Sequence, residues 1–195
     1  MSTPIDPHRL KKLLGELVDI YSPSGKEIQA LQYAEKYLAR HGVAVRRREV
    51  DQDRYNLIVG PADDTAEVVF VGHIDTVPAY DLDDYGHECG DDGVLRGLGA
   101  ADMKGGCAAM IEAFVAFVEK HGQIPPALLA LVVGEEETGD GAGELVTTCR
   151  ASWALVGEPT DMVPNLGHYG YVEIELTATG KRAHASLAKD VRGAV

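Results

Sequence analysis

The sequence predicts an α/β fold, and three observations carry that expectation. Helical and extended segments alternate along the chain. The segment ALLALVV, residues 127–133, is apolar throughout, as in a strand buried on both faces. Near the C-terminus GYVEIELTATG alternates apolar and polar residues strictly, which marks a differently built sheet with one wet face.

Taken in order, Asp6-Pro7 opens a helix that sets Leu10, Leu13, Leu14, Leu17, Val18 and Tyr21 on one face at intervals of three and four. After the turn SPSG a second helix is expected from about Lys26 to His41. Gly42 serves as its C-cap, with Arg40 and His41 at the negative end of the helix dipole. VAVRRREV, YNLIVG and AEVVFVG read as short strands. DLDDYGHECGDDG, Asp81 to Gly93, reads as an acidic loop. Met103 to His121 is a predicted helix closed by His-Gly. The ALLALVV strand, a helix near Gly143 to Arg150 and the short strand WALVG follow.

The pattern changes after Val163-Pro164. In GYVEIELTATG, Val172, Ile174, Leu176 and Ala178 share one face, and Glu173, Glu175 and Thr177 the other. A boundary near Gly167 to Gly170 gives a first domain over residues 1–168. Residues 169–195 begin a second that is too short to close its own core.

Composition narrows the function. A chain of 195 residues with 45% apolar and 25% charged content is an ordinary globular protein. Eighteen basic against 31 acidic residues leave a formal charge of −13, which argues against nucleic acid as a partner. The N-terminus lacks an apolar signal core, and no stretch approaches a membrane span, so no membrane partner is expected. Cys89, Cys107 and Cys149 form no CxxC pair and read as free thiols of a reducing compartment, so the cytoplasm is the expected address.

The chemistry lies at strand ends. VVFVGHIDTVP places His73 and Asp75 two residues apart after an apolar strand, so both point to one face. Asp75 can then hold one ring nitrogen of His73 while the other binds a metal. Alone, His-x-Asp is more often a buried, hydrogen-bonded histidine. Asp102, in GAADMKGG, alone reads as a helix cap. Gly97-x-Gly99 lacks the third glycine and the preceding strand of a dinucleotide loop. Three glutamates, Glu135 to Glu137, follow the ALLALVV strand, and Glu158 follows ALVG. Each has a bland alternative as a solvated strand-end carboxylate.

The order is what shifts the balance. Apolar segments end in turn at His73, Asp102, Glu136/Glu137 and Glu158, and the carboxyl ends of strands in an open α/β sheet gather along one crevice. Imidazole with carboxylates suits zinc, or cobalt or manganese. Four carboxylates in one crevice call for more than one cation, so two metals are expected.

The ordered motifs GHIDTVP, GLGAADMKGG, EEETG and VGEPT resemble the two-zinc amidohydrolases and exopeptidases, and the resemblance runs from about His8 to Val195. That family includes acetylornithine deacetylase, succinyl-diaminopimelate desuccinylase, aminoacylase and the glutamate carboxypeptidases. The resemblance implies a three-layer zinc-exopeptidase-like catalytic domain with a central mixed sheet, followed by an α+β lid and dimerisation domain. It implies hydrolysis of the amide bond of an N-acyl amino acid or small peptide, with two Zn2+ per site and Co2+ or Mn2+ as substitutes. His73 and Glu158 would hold one ion, Glu137 the other, and Asp102 would bridge them. Asp75 would orient His73, and Glu136 would be the general base.

A cis peptide would follow Asp102. His184, in GKRAHAS, would reach a partner's site across a homodimer formed through the lid. The family pattern of two glutamates, any residue and glycine selects Glu136-Glu137-Thr138-Gly139. A register one residue earlier would use Glu135-Glu136 and put Thr138 at the glycine. The resemblance also calls for a second histidine ligand, which none of His8, His41, His87, His121 or His168 fits by position. The chain is therefore expected to be the first half of a longer enzyme and inactive alone. The alternative is a fragment that binds a metal or a partner without turnover.

Overall fold

The structure, a computed structural model, describes residues 5–80 and 84–165, with 170, 172, 174, 176, 177 and 179. Helix α1 (Pro7–Val18) starts where the Asp6 carboxylate accepts the backbone N–H groups of His8 and Arg9, at 2.9 and 3.3 Å. It buries Leu13, Leu17 and Val18. Helix α2 (Ile28–Arg40) buries Ala30, Leu31, Ala34 and Leu38, and the chain turns away at Gly42 with φ 74°.

Strands β1 (Arg46–Glu49), β2 (Tyr55–Val59) and β3 (Thr65–His73) follow, then a small antiparallel hairpin of β4 (Glu88–Cys89) and β5 (Leu95–Arg96). Part of the expected acidic loop is therefore this hairpin. Next come α3 (Gly105–His121), β6 (Leu128–Val132), α4 (Asp140–Thr148) and β7 (Arg150–Val156).

Five strands form one mixed sheet in the order β1-β2-β6-β3-β7. The β1–β2 and β2–β6 pairs are antiparallel; β6–β3 and β3–β7 are parallel. Alternation divides the central strands between two cores. Leu57, Val59, Leu129 and Leu131 pack with α1, α2 and α3, while Ile58, Leu128, Ala130 and Val132 pack with Leu145 of α4 on the other face. A strand between helical layers must be apolar on both sides, which is why ALLALVV carries no charge.

Helices α3 and α4 are bounded differently from the sequence expectation. Helix α3 begins at Gly105 rather than Met103, because Asp102 and Met103 have non-helical backbone angles inside a kinked turn, Ala100–Lys104. Helix α4 begins at Asp140 and stops at Thr148. There the hydroxyls of Thr147 and Thr148 bond back to the Glu144 carbonyl at 2.8 and 3.2 Å. Arg150, expected in that helix, instead starts β7 and donates its N–H to the Asp64 carbonyl at 2.9 Å. All seven residues of this edge strand are exposed.

The chain divides into two compact units, Met1–Asp161 and Met162–Val195, and every element above belongs to the first. Of the expected GYVEIELTATG strand, Tyr171, Glu173, Glu175, Ala178 and Gly180 lie outside the described residues, and the described residues of this stretch are not in a strand. Val172, Ile174 and Leu176 are described and exposed.

Candidate metal centre

Because β3, β6 and β7 run parallel, their carboxyl ends open on one side of the sheet. His73 closes β3, Glu135 and Glu136 follow β6, and Glu158 follows β7. Asp102 comes from the kinked turn before α3. Close approach of that helix to the strand end depends on glycine: a Cβ at Gly106 would overlap the Gly157 carbonyl.

His73 is 2% exposed and held from several sides. Its N–H points to the Met103 sulfur at 3.2 Å, and its carbonyl accepts the Cys107 thiol at 3.1 Å. Nδ1 lies 3.0 Å from the Asp75 backbone carbonyl and 3.5 Å from its carboxylate, so the main chain is the nearer of the two partners. Nε2 faces the crevice: Asp102 Oδ1 is at 3.1 Å, Glu158 Oε1 at 3.5 Å and Glu135 Oε2 at 3.7 Å. One atom each from His73, Asp102 and Glu158 lies within 4.8 Å of the others.

Asp75 is wholly buried and does more than face His73. Its carboxylate accepts the Ser24 hydroxyl at 2.6 Å, the Glu135 N–H at 3.3 Å and the Glu136 N–H at 3.1 Å. The first strand-end motif is thereby tied to the glutamate loop. The neighbouring backbone is pinned too: Ser22 donates its hydroxyl to the Ile74 carbonyl at 2.9 Å and accepts the Thr76 N–H at 3.0 Å.

The electrostatics are those of a crevice short of positive charge. Burial pulls the His73 imidazole down, but Asp75, Glu158 and Glu135 outweigh it and raise its pKa to about 9. Burial, with Asp102 nearby, lifts Glu158 to about 7. Burial and the Asp102 charge likewise push Glu136 up. Burial also opposes ionisation of Asp75, yet its hydrogen bonds to His73, Ser24 and the Glu136 N–H hold it below the ordinary aspartate value.

The nearby ammonium does not relieve the carboxylates. Lys104 is 1% exposed and spends its Nζ on the carbonyls of Leu17 and Ile20, at 3.0 and 2.8 Å. Burial lowers its pKa to about 8. An imidazole nitrogen with converging carboxylate oxygens, and no Lys or Arg paired to them among the described residues, is a donor set that fits a divalent ion such as zinc.

His73, Asp102 and Glu158 therefore converge. Glu136 is half-buried and shares a pocket of about 290 Å³ with Asp102, Thr76 and Gly99. Glu137 is exposed, and its side chain forms no hydrogen bond or ion pair among the described residues. Glu135, which has no role on sequence grounds alone, stands beside His73; the run of three glutamates was its only signal. The Asp102–Met103 peptide bond is cis, as the resemblance implies. His184 lies outside the described residues.

Comparison with known proteins adds the family. Over 184 residues the chain is 29% identical to a probable succinyl-diaminopimelate desuccinylase of Staphylococcus epidermidis, covering 90% of this chain and 45% of that protein. It is 33% identical over 195 residues to a probable carboxypeptidase of Aspergillus clavatus, covering 92% and 43%. The chain thus spans about half the length of the curated relatives it matches. The solved structure of a tripeptidase from Staphylococcus aureus superposes with a TM-score of 0.63 at 24% identity, covering 78% of this chain and 43% of that one, which shows the shared fold. Residues 69–194 match peptidase family M20/M25/M40, and the chain belongs to that family.

Proposed function

We propose that this chain carries most of the catalytic centre of a metal-dependent hydrolase that cleaves the amide bond of an N-acyl amino acid or small peptide. The convergence of His73, Asp102 and Glu158 beside a half-buried Glu136 carries the proposal. Those three residues would hold a divalent ion, with zinc the natural choice for one imidazole and carboxylates. By resemblance, Asp102 would be shared with a second ion on Glu137. When bound, such ions supply Lewis-acid polarisation of the scissile carbonyl and lower the pKa of water.

The remaining work falls to the protein's own groups. Asp75 holds the His73 ring so that Nε2 faces the carboxylates. Glu136, pushed up by burial and by Asp102, is suited to take a proton from the attacking water and pass it to the departing amine nitrogen. Its neighbours Thr76 and Gly99 line the space where the reacting bond would lie.

The relatives' names, a desuccinylase and a carboxypeptidase, both describe cleavage beside an amino-acid residue and support the substrate class. A cytoplasmic homodimer, joined through residues 169–195 and sharing His184, completes the proposal. Turnover of a panel of N-acetyl and N-succinyl amino acids and of di- and tripeptides by the whole protein, with added zinc or cobalt, tests it. Metal-dependent release of a free amine is the expected result, and no amide cleavage across the panel would refute it.

A further inference from the structure

We infer that Asn56 is a positioning residue for the glutamate loop: its buried side-chain amide clamps the two ends of that loop and so sets where Glu135 and Glu136 stand in the crevice. The inference rests on the proposed role of Glu136 but draws on residues outside the candidate centre.

Asn56 is the second residue of β2, YNLIV, ahead of three apolar residues, and it is wholly buried. Antiparallel pairing between β2 and β6 runs from Val59↔Leu129 to Leu57↔Leu131. Beyond that point β6 leaves the ladder to form the loop, and the Asn56 amide takes over. Oδ1 accepts the Val133 N–H at 3.2 Å, and Nδ2 donates to the Gly141 carbonyl at 2.8 Å. Gly141 also donates its own N–H to the Val133 carbonyl at 3.2 Å. Three hydrogen bonds thus close a neck between Val133 and Gly141, with the side chain standing in for a peptide unit.

The neck is tight. A Cβ at Gly141 would overlap the Val133 backbone and meet Asn56 Oδ1. Within the loop, the N–H groups of Thr138 and Gly139 both reach the Gly134 carbonyl, at 3.0 and 2.7 Å. Outside it, Arg54 pairs with Asp140 at the start of α4. At the crevice side Asp75 receives the Glu135 and Glu136 N–H groups. The loop is gripped at its base by Asn56 and at its tip by Asp75, so release of the base lets the carboxylates drift. A displacement of an ångström at a reacting group can cost about a hundredfold in rate.

The test uses Asn56→Leu, which removes both hydrogen bonds, and Asn56→Asp, which keeps an acceptor for Val133 but loses the donor to Gly141. Hydrogen exchange of the 195-residue chain should show peptides spanning 134–141 exchanging at least about tenfold faster in both variants, with α1 and α3 unchanged. If Asn56→Leu fails to fold, Asn56→Asp carries the test. In the whole protein kcat should fall by about ten- to a hundredfold while KM and zinc content hold. Unchanged exchange over 134–141 would overturn the inference. So would faster exchange with kcat intact while Glu136→Gln abolishes turnover. Were Glu136→Gln itself harmless, the proposed role of Glu136 would fail, and exchange alone would still decide the clamp.

Discussion

Asp75 accepts the backbone N–H of Glu136 at 3.1 Å, while its own carbonyl and carboxylate lie 3.0 and 3.5 Å from His73 Nδ1. One buried residue thus fixes the orientation of the candidate ligand and the position of the candidate base. Metal affinity and proton transfer should therefore fail together when it is altered.

Asp75→Asn keeps the size but brings an amide donor toward backbone N–H groups that need acceptors. Zinc affinity should fall by about ten- to a hundredfold, as for other residues that orient a metal-bound histidine. Titration calorimetry against the parent chain measures it. Unchanged affinity would mean that the backbone carbonyl alone orients His73.

Metal binding should tighten as pH rises. Without an ion the His73 ring keeps its proton up to about pH 9 against an ordinary value of 6.5, so below pH 9 an ion must displace that proton. Affinity should climb about tenfold per pH unit toward 9 and then level off, and more steeply below about 7, where Glu158 also carries a proton. Calorimetry in buffers of different ionisation enthalpy counts the protons released. A flat profile between pH 6 and 8 would contradict the assignment of His73.

Much of this was legible in the sequence. ALLALVV reads as a strand covered on both faces and is one, and the helix caps at Asp6 and Gly122 stand where the residue types placed them, while the second helix is capped by His41 with Gly42 just beyond it. The gathering of His73 and Glu158 followed from strand ends in an α/β sheet, and Asp102 joins them from the kinked turn before α3. Long-range bonding was not legible. Asn56 looked like an ordinary strand residue, because its partners Val133 and Gly141 lie 77 and 85 residues away. The second role of Asp75 was hidden for the same reason, its partner Glu136 being 61 residues on. Which of three consecutive glutamates faces His73 depends on how the loop is gripped, which residue spacing alone does not state.

The glutamate register can be settled by substitution. With Glu136 as base and Glu137 as ligand, Glu137→Gln should lower metal stoichiometry and Glu135→Gln should leave it intact. Metal analysis after dialysis reads both. The register one residue earlier would make Glu136 the ligand, so that Glu137→Gln keeps its metal, whereas loss of metal from Glu135→Gln would make Glu135, 3.7 Å from His73, a ligand outside both registers.

The β7 edge carries its own expectation. Trp153 is 70% exposed on a strand whose seven residues are all exposed, and Arg150 is its only charged residue. The 195-residue chain should associate as concentration rises, and Trp153→Lys should reduce this in sedimentation velocity. Equal association by both would place the contact elsewhere.

The most direct test of the central claim is Glu136→Gln in the whole protein, with bound metal and amide hydrolysis measured on one sample. Burial and the Asp102 charge push Glu136 up, beside residues suited to hold an ion, so it should act on protons rather than on metal. Metal stoichiometry should match the parent while kcat falls by about two to four orders of magnitude. Loss of metal would make Glu136 a ligand, and full turnover with metal retained would contradict its role as the base.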